Sequence, residues 1–230
     1  MTPVSPHYYK AAKNSLFQLL RKDRYFVKIP GWIKKLYPEC VWDINPKEKI
    51  LYISFDDGPH PTITPFVLNL LKQYNAKATF FCIGENVSRY PEIYNQLIEA
   101  GHSIGNHTQH HLSGWKTTDQ VYMKNIEEAA VLIRSDLFRP PHGRIKKSQI
   151  KLLKAKYPAI KIIMWNILTG DWDENLKPSK CFEQTRRKIS DGDIIVFHDT
   201  NKAFARLEYA LPKLLEEYSK QGYQFKKIAV

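Results

Sequence analysis

Apolar and polar positions alternate between two kinds of pattern from about residue 50 onward, one typical of strands and one typical of helices. Short β-branched and aromatic runs, such as KILYISF at 49–55 and KIIMWNIL at 161–168, are typical of buried strands. Between them lie segments whose apolar residues recur every three or four positions, which is typical of amphipathic helices. The predicted strands are 49–55, 78–83, 103–105, 137–139, 161–168, 193–198 and 223–228. The predicted helices are 65–74, 91–100, 119–134, 148–156, 179–189 and 208–220.

This alternation predicts an α/β fold with a parallel sheet, because strands separated by helices are joined by crossover connections. The pattern alone leaves two choices open, a doubly wound open sheet and a barrel. No repeat, low-complexity tract or linker divides 49–230, so we predict one domain there. Residues 1–48 are predicted to form a basic, partly helical extension. Within it, every fourth position of 7–20 from Tyr8 to Leu20 is apolar, which predicts a weak amphipathic helix.

Composition excludes several classes of protein. The chain is 43% hydrophobic and 25% charged, which is typical of a globular protein and excludes collagen-like and disordered classes. Its three cysteines form no CxxC pair, so neither a disulfide framework nor a zinc ribbon is expected. The sequence shows no apolar run long enough to span a membrane and no secretory signal pattern, which predicts a cytoplasmic location.

The excess of positive charge is concentrated near the start of the chain. Residues 1–50 hold 10 Lys+Arg and 4 Asp+Glu, or +6 of the formal net charge of +12. Such a region either contacts an anionic partner, such as a membrane surface, or is simply a solvated face. We expect no nucleic-acid partner, and peripheral membrane contact through 1–48 stays an open alternative to packing on the domain.

Two adjacent carboxylates, Asp56 and Asp57, follow the first predicted strand. The sequence FDDGP at 55–59 could form a simple turn. However, the carboxyl ends of parallel strands form the sites of α/β proteins, so paired carboxylates at this position indicate a functional role.

Three histidines crowd the segment NHTQHH at 106–111. His107 and His111 are four residues apart, so one helical turn would present both imidazoles to a single metal ion. The pair His107 and His110 also fits helical geometry, so spacing alone does not choose between them. The segment contains no HExxH motif, so a general base has to come from elsewhere, and Asp56 or Asp57 is the obvious source.

Further polar residues occupy the same place in the pattern of strands. Arg139 ends the fourth predicted strand, Asp171 and Trp172 follow the fifth, and His198 ends the sixth. Side chains at one edge of successive parallel strands converge on one cleft. Carboxylates, imidazoles and an arginine gathered there indicate a metal-assisted hydrolase.

Five ordered motifs make 50–230 resemble the polysaccharide deacetylases, the NodB-homology domain of carbohydrate esterase family 4. They are SFDDGP at 54–59, HTQHH at 107–111, RPPHG at 139–143, GDW at 170–172 and VFH at 196–198. The resemblance implies a distorted (β/α)7 barrel with a short N-terminal extension. It also implies one divalent metal ion, most simply zinc, with cobalt, nickel or iron as alternatives. The implied reaction removes acetyl groups from an N-acetylated oligo- or polysaccharide.

The resemblance also implies roles for individual residues. Asp57, His107 and His111 would hold the metal, and Asp56 would act as the base that takes a proton from water. Arg139 would orient Asp56.

On the other side of the reaction, His198 would protonate the departing amine, and Asp171 would tune its imidazolium. Trp172 and Phe197 would form the walls of the slot for the acetyl methyl group. His142 stands where the family usually has tyrosine, and its backbone N–H would assist the oxyanion.

Departures from the family pattern leave the substrate open. Besides His142, Leu168 replaces an acidic residue of the fourth motif and Phe197 replaces a usual leucine. The alternatives to an N-deacetylase are an O-acetyl esterase on acetylated polysaccharide, an amidase on a small non-sugar amide, and an inactive basic binding module.

Overall fold

A computed structural model of the protein describes residues 25–44 and 48–229, so the predicted helix at 7–20 lies outside the described residues. The strands are β1 Cys40–Val41, β2 Ile50–Asp56, β3 Thr79–Cys82, β4 Ser103–Asn106, β5 Leu137–Phe138, β6 Lys161–Ile163, β7 Ile167–Leu168, β8 Ile194–His198 and β9 Gln224–Phe225. The helices are α1 Gly31–Leu36, α2 Ile63–Gln73, α3 Gly84–Arg89, α4 Pro91–Glu99, α5 Asp119–Ala130, α6 Lys147–Lys156, α7 Pro178–Arg186 and α8 Asn201–Lys220.

The strands pair in the order β1-β6-β5-β4-β3-β2-β8-β7, and every pairing in this sheet is parallel. β9 pairs with the first two residues of β2 in a separate parallel ladder. The edge strand β7 is tied to β6, the second strand from the opposite edge, because the two are consecutive in the chain and only 164–166 separate them. Four Cα–Cα steps span at most about 14 Å, so the sheet has to curl. The result is the expected distorted barrel.

The core consists of an inner and an outer layer. All seven residues of β2 are buried, as expected for a central strand covered on both faces. Outside the sheet, Phe80 and Phe197 both stack on Phe55 beneath the helices, with ring centroids 4.9 Å and 6.2 Å from that of Phe55. Inside the curl, alternate residues such as Val196 and Trp165 form a second apolar cluster. Strand alternation therefore decides which side chains face the interior of the barrel.

The predicted strands and helices are found, although the last helix begins seven residues earlier than predicted, at Asn201, and the last strand is only Gln224–Phe225. The run 161–168 is a further exception. Its continuous apolar pattern predicts one strand, and the structure divides it into β7, at one edge of the sheet, and β6, next to the opposite edge strand β1. A periodicity argument cannot detect this break, because Met164 and Trp165 at the joint are as buried and apolar as strand residues. β1, α1 and α3 were not predicted because each has only two or six residues.

Residues 25–44 pack against the closing end of the sheet. The Leu168 amide donates to the Val27 carbonyl at 2.8 Å, and the Ile29 amide donates to the Asn166 carbonyl at 2.9 Å. The Lys28 ammonium contacts the buried Asp193 carboxylate at 3.2 Å. No helix in the described part of the chain is long and apolar enough to cross a membrane.

Candidate active site

The polar residues that follow the strands meet at one edge of the curled sheet. Asp56 is the last residue of β2 and pairs in register with His198, the last residue of β8. Asn106 ends β4 directly before His107, and Arg139 follows β5. The edge lies around a cavity of about 460 Å³ whose lining includes Asp56, Asp57, His107, His111 and His198. The predicted convergence at the carboxyl ends of the strands is therefore present.

Asp56 is held by a buried arginine. The Arg139 side chain is fully buried, and its Nη1 donates to Asp56 Oδ1 at 2.6 Å and to Ser54 Oγ at 2.8 Å. Its Nε and Nη2 donate to the backbone carbonyls of Ile163 and Met164. The guanidinium also lies 4.0 Å from the centroid of the Phe81 ring. Every nitrogen of the guanidinium has a partner, so the arginine fixes one carboxylate oxygen and leaves Oδ2 toward the cavity.

Asp57, His107 and His111 bring three potential ligand atoms together. All three atoms lie within 4.8 Å of one another. Asp57 Oδ1 is 3.5 Å from His107 Nε2 and 3.1 Å from His111 Nε2. Ligands of a tetrahedral zinc ion at about 2.0–2.2 Å from the metal lie roughly 3.4 Å apart, so this separation suits one ion.

The hydrogen bonds around the cluster provide an independent test of that fit. His107 Nδ1 lies 2.8 Å from the Arg139 carbonyl, which can only accept, so Nδ1 carries a hydrogen, and in the neutral form of the ring the lone pair is on Nε2, which faces Asp57. Asp57 Oδ1 is buried and has no hydrogen-bond partner among the described residues. Two acceptors that face each other in a buried place repel, and a shared cation removes the repulsion. The donor set therefore fits a divalent metal ion.

The histidine segment is not helical, which corrects the prediction from its spacing. Thr108 and His111 have φ values of 66° and 54°, in the left-handed region, and the segment forms an irregular loop. Five non-glycine residues of the described chain have positive φ, and Asp57 and His142 are also among them. Such backbone strain tends to concentrate at functional sites. The loop, rather than a helical turn, points both imidazoles at Asp57.

Asn125 of α5 resolves which histidine accompanies His107. Its Oδ1 accepts from the backbone amides of Gln109 and His110, at 3.1 Å and 3.0 Å. Its Nδ2 lies 2.8 Å from His110 Nδ1. His110 is thereby engaged with Asn125, and His111 faces the cluster.

His198, which also lines the cavity, forms a second ion pair with Asp171. His198 Nδ1 lies 2.8 Å from Asp171 Oδ1, and the His198 backbone amide donates to Asp171 Oδ2 at 2.7 Å. Asp171 is fully buried, and its carbonyl accepts from Arg206 Nε of α8. Burial disfavours the imidazolium, but the carboxylate of Asp171 and those of Asp57 and Asp56 outweigh it and raise the pKa of His198 to about 10. Nδ1 is used by Asp171, so Nε2 is the nitrogen available to a substrate.

The walls of the cavity agree only in part with the predicted slot for an acetyl methyl group. Trp172 lines the cavity, with its ring centroid 5.2 Å from that of His198, and His142 and Leu168 line it as well. Phe197 does not. It is fully buried in the outer layer of the core against Phe55, and Val196 lines the cavity instead. Strand alternation explains this correction, because Val196 and His198 share the inner face of β8 and Phe197 has the opposite one.

Tyr25 is a cavity residue that the sequence patterns did not identify. Its ring centroid lies 5.0 Å from that of Trp172, and its hydroxyl accepts from Gln184 Nε2 at 3.1 Å. Gly170 has a φ of 78°, and a Cβ there would collide with the Tyr25 hydroxyl. No local signal marks Tyr25, because it lies outside every motif. Only the packing of 25–29 against β7 brings it to the site.

The sequence identifies a buried carboxyl group next to the site, Asp199, only as the neighbour of His198 and predicts no role for it. Asp199 follows His198, accepts from Thr64 Oγ1, and would collide with any side chain placed at Gly58. Burial raises the pKa of Asp199 to about 7.

Comparisons with known proteins agree with this geometry. Residues 43–157 match the model of the family described as polysaccharide deacetylase. The chain is 38% identical over 200 residues to a peptidoglycan-N-acetylglucosamine deacetylase of Bacillus cereus, which covers 84% of this chain and 93% of the relative. It is 28% identical to the peptidoglycan-N-acetylmuramic acid deacetylase PdaC of Bacillus subtilis, over 93% of this chain and 47% of the relative.

A solved structure has the same fold. The crystal structure of the Bc1960 peptidoglycan N-acetylglucosamine deacetylase, bound to a hydroxamate-type benzamide, superposes with a TM-score of 0.79 at 26% identity. The match covers 87% of this chain and 95% of that one.

Proposed function

The chain belongs to the polysaccharide deacetylase family, and from that membership we propose that it hydrolyses the N-acetyl groups of peptidoglycan sugars. Two relatives support the substrate class, because their names state that they deacetylate the N-acetylglucosamine and the N-acetylmuramic acid of peptidoglycan. The products are acetate and a free amine on the sugar.

One observation carries the proposal. Asp56 and His198 are register partners on adjacent strands, and they flank the cluster of Asp57, His107 and His111 in a single cavity. Hydrolysis of an amide needs a base for the attacking water and an acid for the departing nitrogen. A carboxylate and an imidazolium that line the same cavity as the cluster meet both requirements.

Asp57, His107 and His111 would hold one divalent ion, and zinc suits a set of two imidazole nitrogens and one carboxylate oxygen. When bound, such an ion polarises the acetyl carbonyl and lowers the pKa of a neighbouring water. All three side chains line the cavity, so substrate and water reach them from the same side.

Asp56 would accept the proton of the water that attacks the acetyl carbon. Arg139 occupies Asp56 Oδ1, which leaves Oδ2 as the accepting oxygen. The same guanidinium lies 2.6 Å from Oδ1 and gives the buried carboxylate a cationic partner. Four donor–acceptor contacts of Arg139 fix this orientation before substrate arrives.

His198 would donate its Nε2 proton to the sugar nitrogen as the bond from nitrogen to the acetyl carbon breaks. The carboxylate of Asp171 favours the imidazolium and fixes the orientation of the ring. Loss of the amine as an anion is thereby avoided.

The acetyl group would sit between an apolar wall and a backbone donor. Val196, Leu168 and Trp172 line the cavity and would contact the methyl group in place of water. Pro140 and Pro141 have no amide hydrogen, so the His142 N–H is the first backbone donor after Arg139. We assign it to the developing oxyanion.

The test is metal analysis of the purified chain, followed by acetate release from three substrates. Peptidoglycan fragments and chitooligosaccharides carry N-acetyl groups, and acetylated xylan carries O-acetyl groups. We expect about one divalent ion per chain and release from the first two. Release from xylan alone would replace the proposal with an O-acetyl esterase, and no release from any substrate by the metal-loaded protein would refute it.

A further inference from the structure

A solvent-exposed tryptophan that contacts the cavity residue Arg144 is held in place by a hydrogen bond of its indole nitrogen. Trp115 is 55% exposed and lies in a short 3-10 turn, Gly114–Lys116. Its indole Nε1 donates to the Ile145 carbonyl at 3.1 Å, so the ring is anchored by its one polar atom and presents its apolar surface to solvent.

Gln149 builds the turn that presents this ring. The side chain is fully buried, and its Nε2 donates to the carbonyls of Gly114 and Thr117 at 3.0 Å and 3.3 Å. Its Oε1 accepts from the Lys146 amide at 2.9 Å. A Cβ at Gly114 would lie 2.5 Å from Gln149 Oε1, so only glycine allows this approach. The exposed indole therefore stands on a rigid support rather than on a loose loop.

Arg144 connects Trp115 to the cavity. Its guanidinium lies 5.5 Å from the centroid of the Trp115 ring, and the residue also lines the cavity, two positions after His142. Its carbonyl accepts from the Gly114 amide at 3.0 Å, which ties the two loops together. The guanidinium takes part in none of the ion pairs found within 25–44 and 48–229, so its donors are available to a ligand.

We propose that Trp115 and Arg144 form a second saccharide subsite, which binds the sugar next to the one that is deacetylated. A pyranose ring has an apolar face of C–H groups and a rim of hydroxyl oxygens. The indole face suits the first and the arginine donors suit the second. This inference rests on the proposed function for the catalytic sugar, and it adds that the substrate is a glycan of at least two units.

The test compares substrate lengths in a purified, metal-loaded enzyme. Aromatic contacts contribute about 0.5–1.5 kcal/mol, which corresponds to roughly 2–12-fold in binding. We expect Trp115→Ala to lower kcat/KM by about that factor on chitotetraose, mainly through KM, with little change on N-acetylglucosamine or another one-unit substrate. Trp115→Phe should retain most of the difference between lengths, and Arg144→Gln should lose it.

Trp32→Ala is the matched control, because Trp32 is 60% exposed and lies on α1 without lining the cavity. It should not change the dependence on length. An equal loss on short and long substrates in Trp115→Ala, or no loss on either, would overturn the subsite while leaving deacetylation intact.

A binding measurement separates failure of the subsite from failure of the proposed function. If the wild-type chain releases no acetate from any length, calorimetric titration with chitotetraose still tests the subsite. Weaker binding by Trp115→Ala than by Trp32→Ala would then support it, and equal binding would overturn it.

Discussion

Two ion pairs lie beside the proposed metal cluster. One pair presents its anion to the cavity, and the other presents its cation. In the first, Asp56 faces the cavity and Arg139, its cation, is completely hidden. In the second, His198 faces the cavity and Asp171, its anion, is completely hidden. The hidden member is in each case bound to backbone groups, the arginine to two carbonyls and the aspartate to the His198 amide.

The difference explains how one cavity could hold both a base and an acid. The buried guanidinium is a cation, so it compensates the negative charge of the carboxylate that faces the cavity, the proposed base. A buried carboxylate does the reverse for an imidazole and keeps it protonated. The chemistry of each pair is therefore decided by which member the fold turns toward the substrate.

The largest expected effect comes from altering the two adjacent carboxylates that line the cavity, Asp56 and Asp57. Asp56→Asn cannot accept a proton, so turnover should fall by about 10²–10⁴-fold while the bound metal is retained. Asp57→Asn should instead lose metal, because a neutral amide is a poorer ligand for a dication. Metal content and acetate release are measured side by side. Loss of metal in Asp56→Asn with retention in Asp57→Asn would exchange the roles assigned to the two residues.

Removing the hidden cation of the first pair should destabilise the whole domain. Arg139→Met leaves Asp56 as an uncompensated buried charge, which typically costs about 3–5 kcal/mol of unfolding free energy. Denaturant unfolding measures the loss. Arg144→Met, five positions along the chain but exposed, should cost only about 0.5 kcal/mol or less. The double variant Asp56→Asn, Arg139→Met should recover part of the stability, and no recovery would contradict the charge argument.

Removing the hidden anion of the second pair should shift a pH profile rather than unfold the protein. Because the pKa of His198 is raised to about 10, the acid stays protonated at neutral pH, and kcat/KM should fall as pH rises through about 10. Asp171→Asn no longer favours the imidazolium, so this alkaline limb should move to lower pH, by about one to three pH units.

Asp173→Asn is the control for that profile, since it removes a carboxylate two residues away that does not contact His198. Its alkaline limb should stay where the wild type has it. An unchanged limb in Asp171→Asn would show that another group controls proton donation.

The smallest expected effect concerns the wall behind the acid. Tyr25→Ala removes the ring that packs on Trp172, 5.0 Å away, and such contacts are worth about 0.5–1.5 kcal/mol. We expect kcat/KM to fall roughly 2–12-fold with an unchanged alkaline limb. Phe26→Ala, at the exposed neighbouring position, should have no effect. A shift of the limb in Tyr25→Ala would mean that Tyr25 acts on the proton of His198 rather than on the wall.

The sequence predicted the part of the site that follows from strand order. Asp56, Arg139, Asp171 and His198 each come after a recognisable apolar run, and parallel strands bring such positions together. It failed where the local backbone departs from regular geometry. The helical turn predicted for His107 and His111 was wrong because Thr108 and His111 adopt left-handed conformations, which spacing does not reveal.

Contacts between distant segments were also beyond the sequence patterns. Motif position predicts that Phe197 forms the wall of the methyl slot. In the structure Val196 lines the cavity instead, because it lies on the inner face of β8 and Phe197 lies on the outer face. Tyr25 and Trp115 lie outside every motif, and only tertiary packing brings them to the cavity or beside it. The division of the sequence at residue 48, the cytoplasmic location and the membrane contact of 1–48 stay predictions.

The joint at 164–166, which closes the sheet, also bears on the order of folding. The Met164 carbonyl is an acceptor for Arg139, so a residue of this joint helps to orient Asp56, the proposed base. Asp56 and Arg139 are 83 residues apart in the chain, whereas Asp171 and His198 are 27 apart. Closing a longer loop costs more entropy, so we expect the acid to assemble first and the base last. In a refolding experiment, the rate at which turnover returns would then report the rate at which the barrel closes.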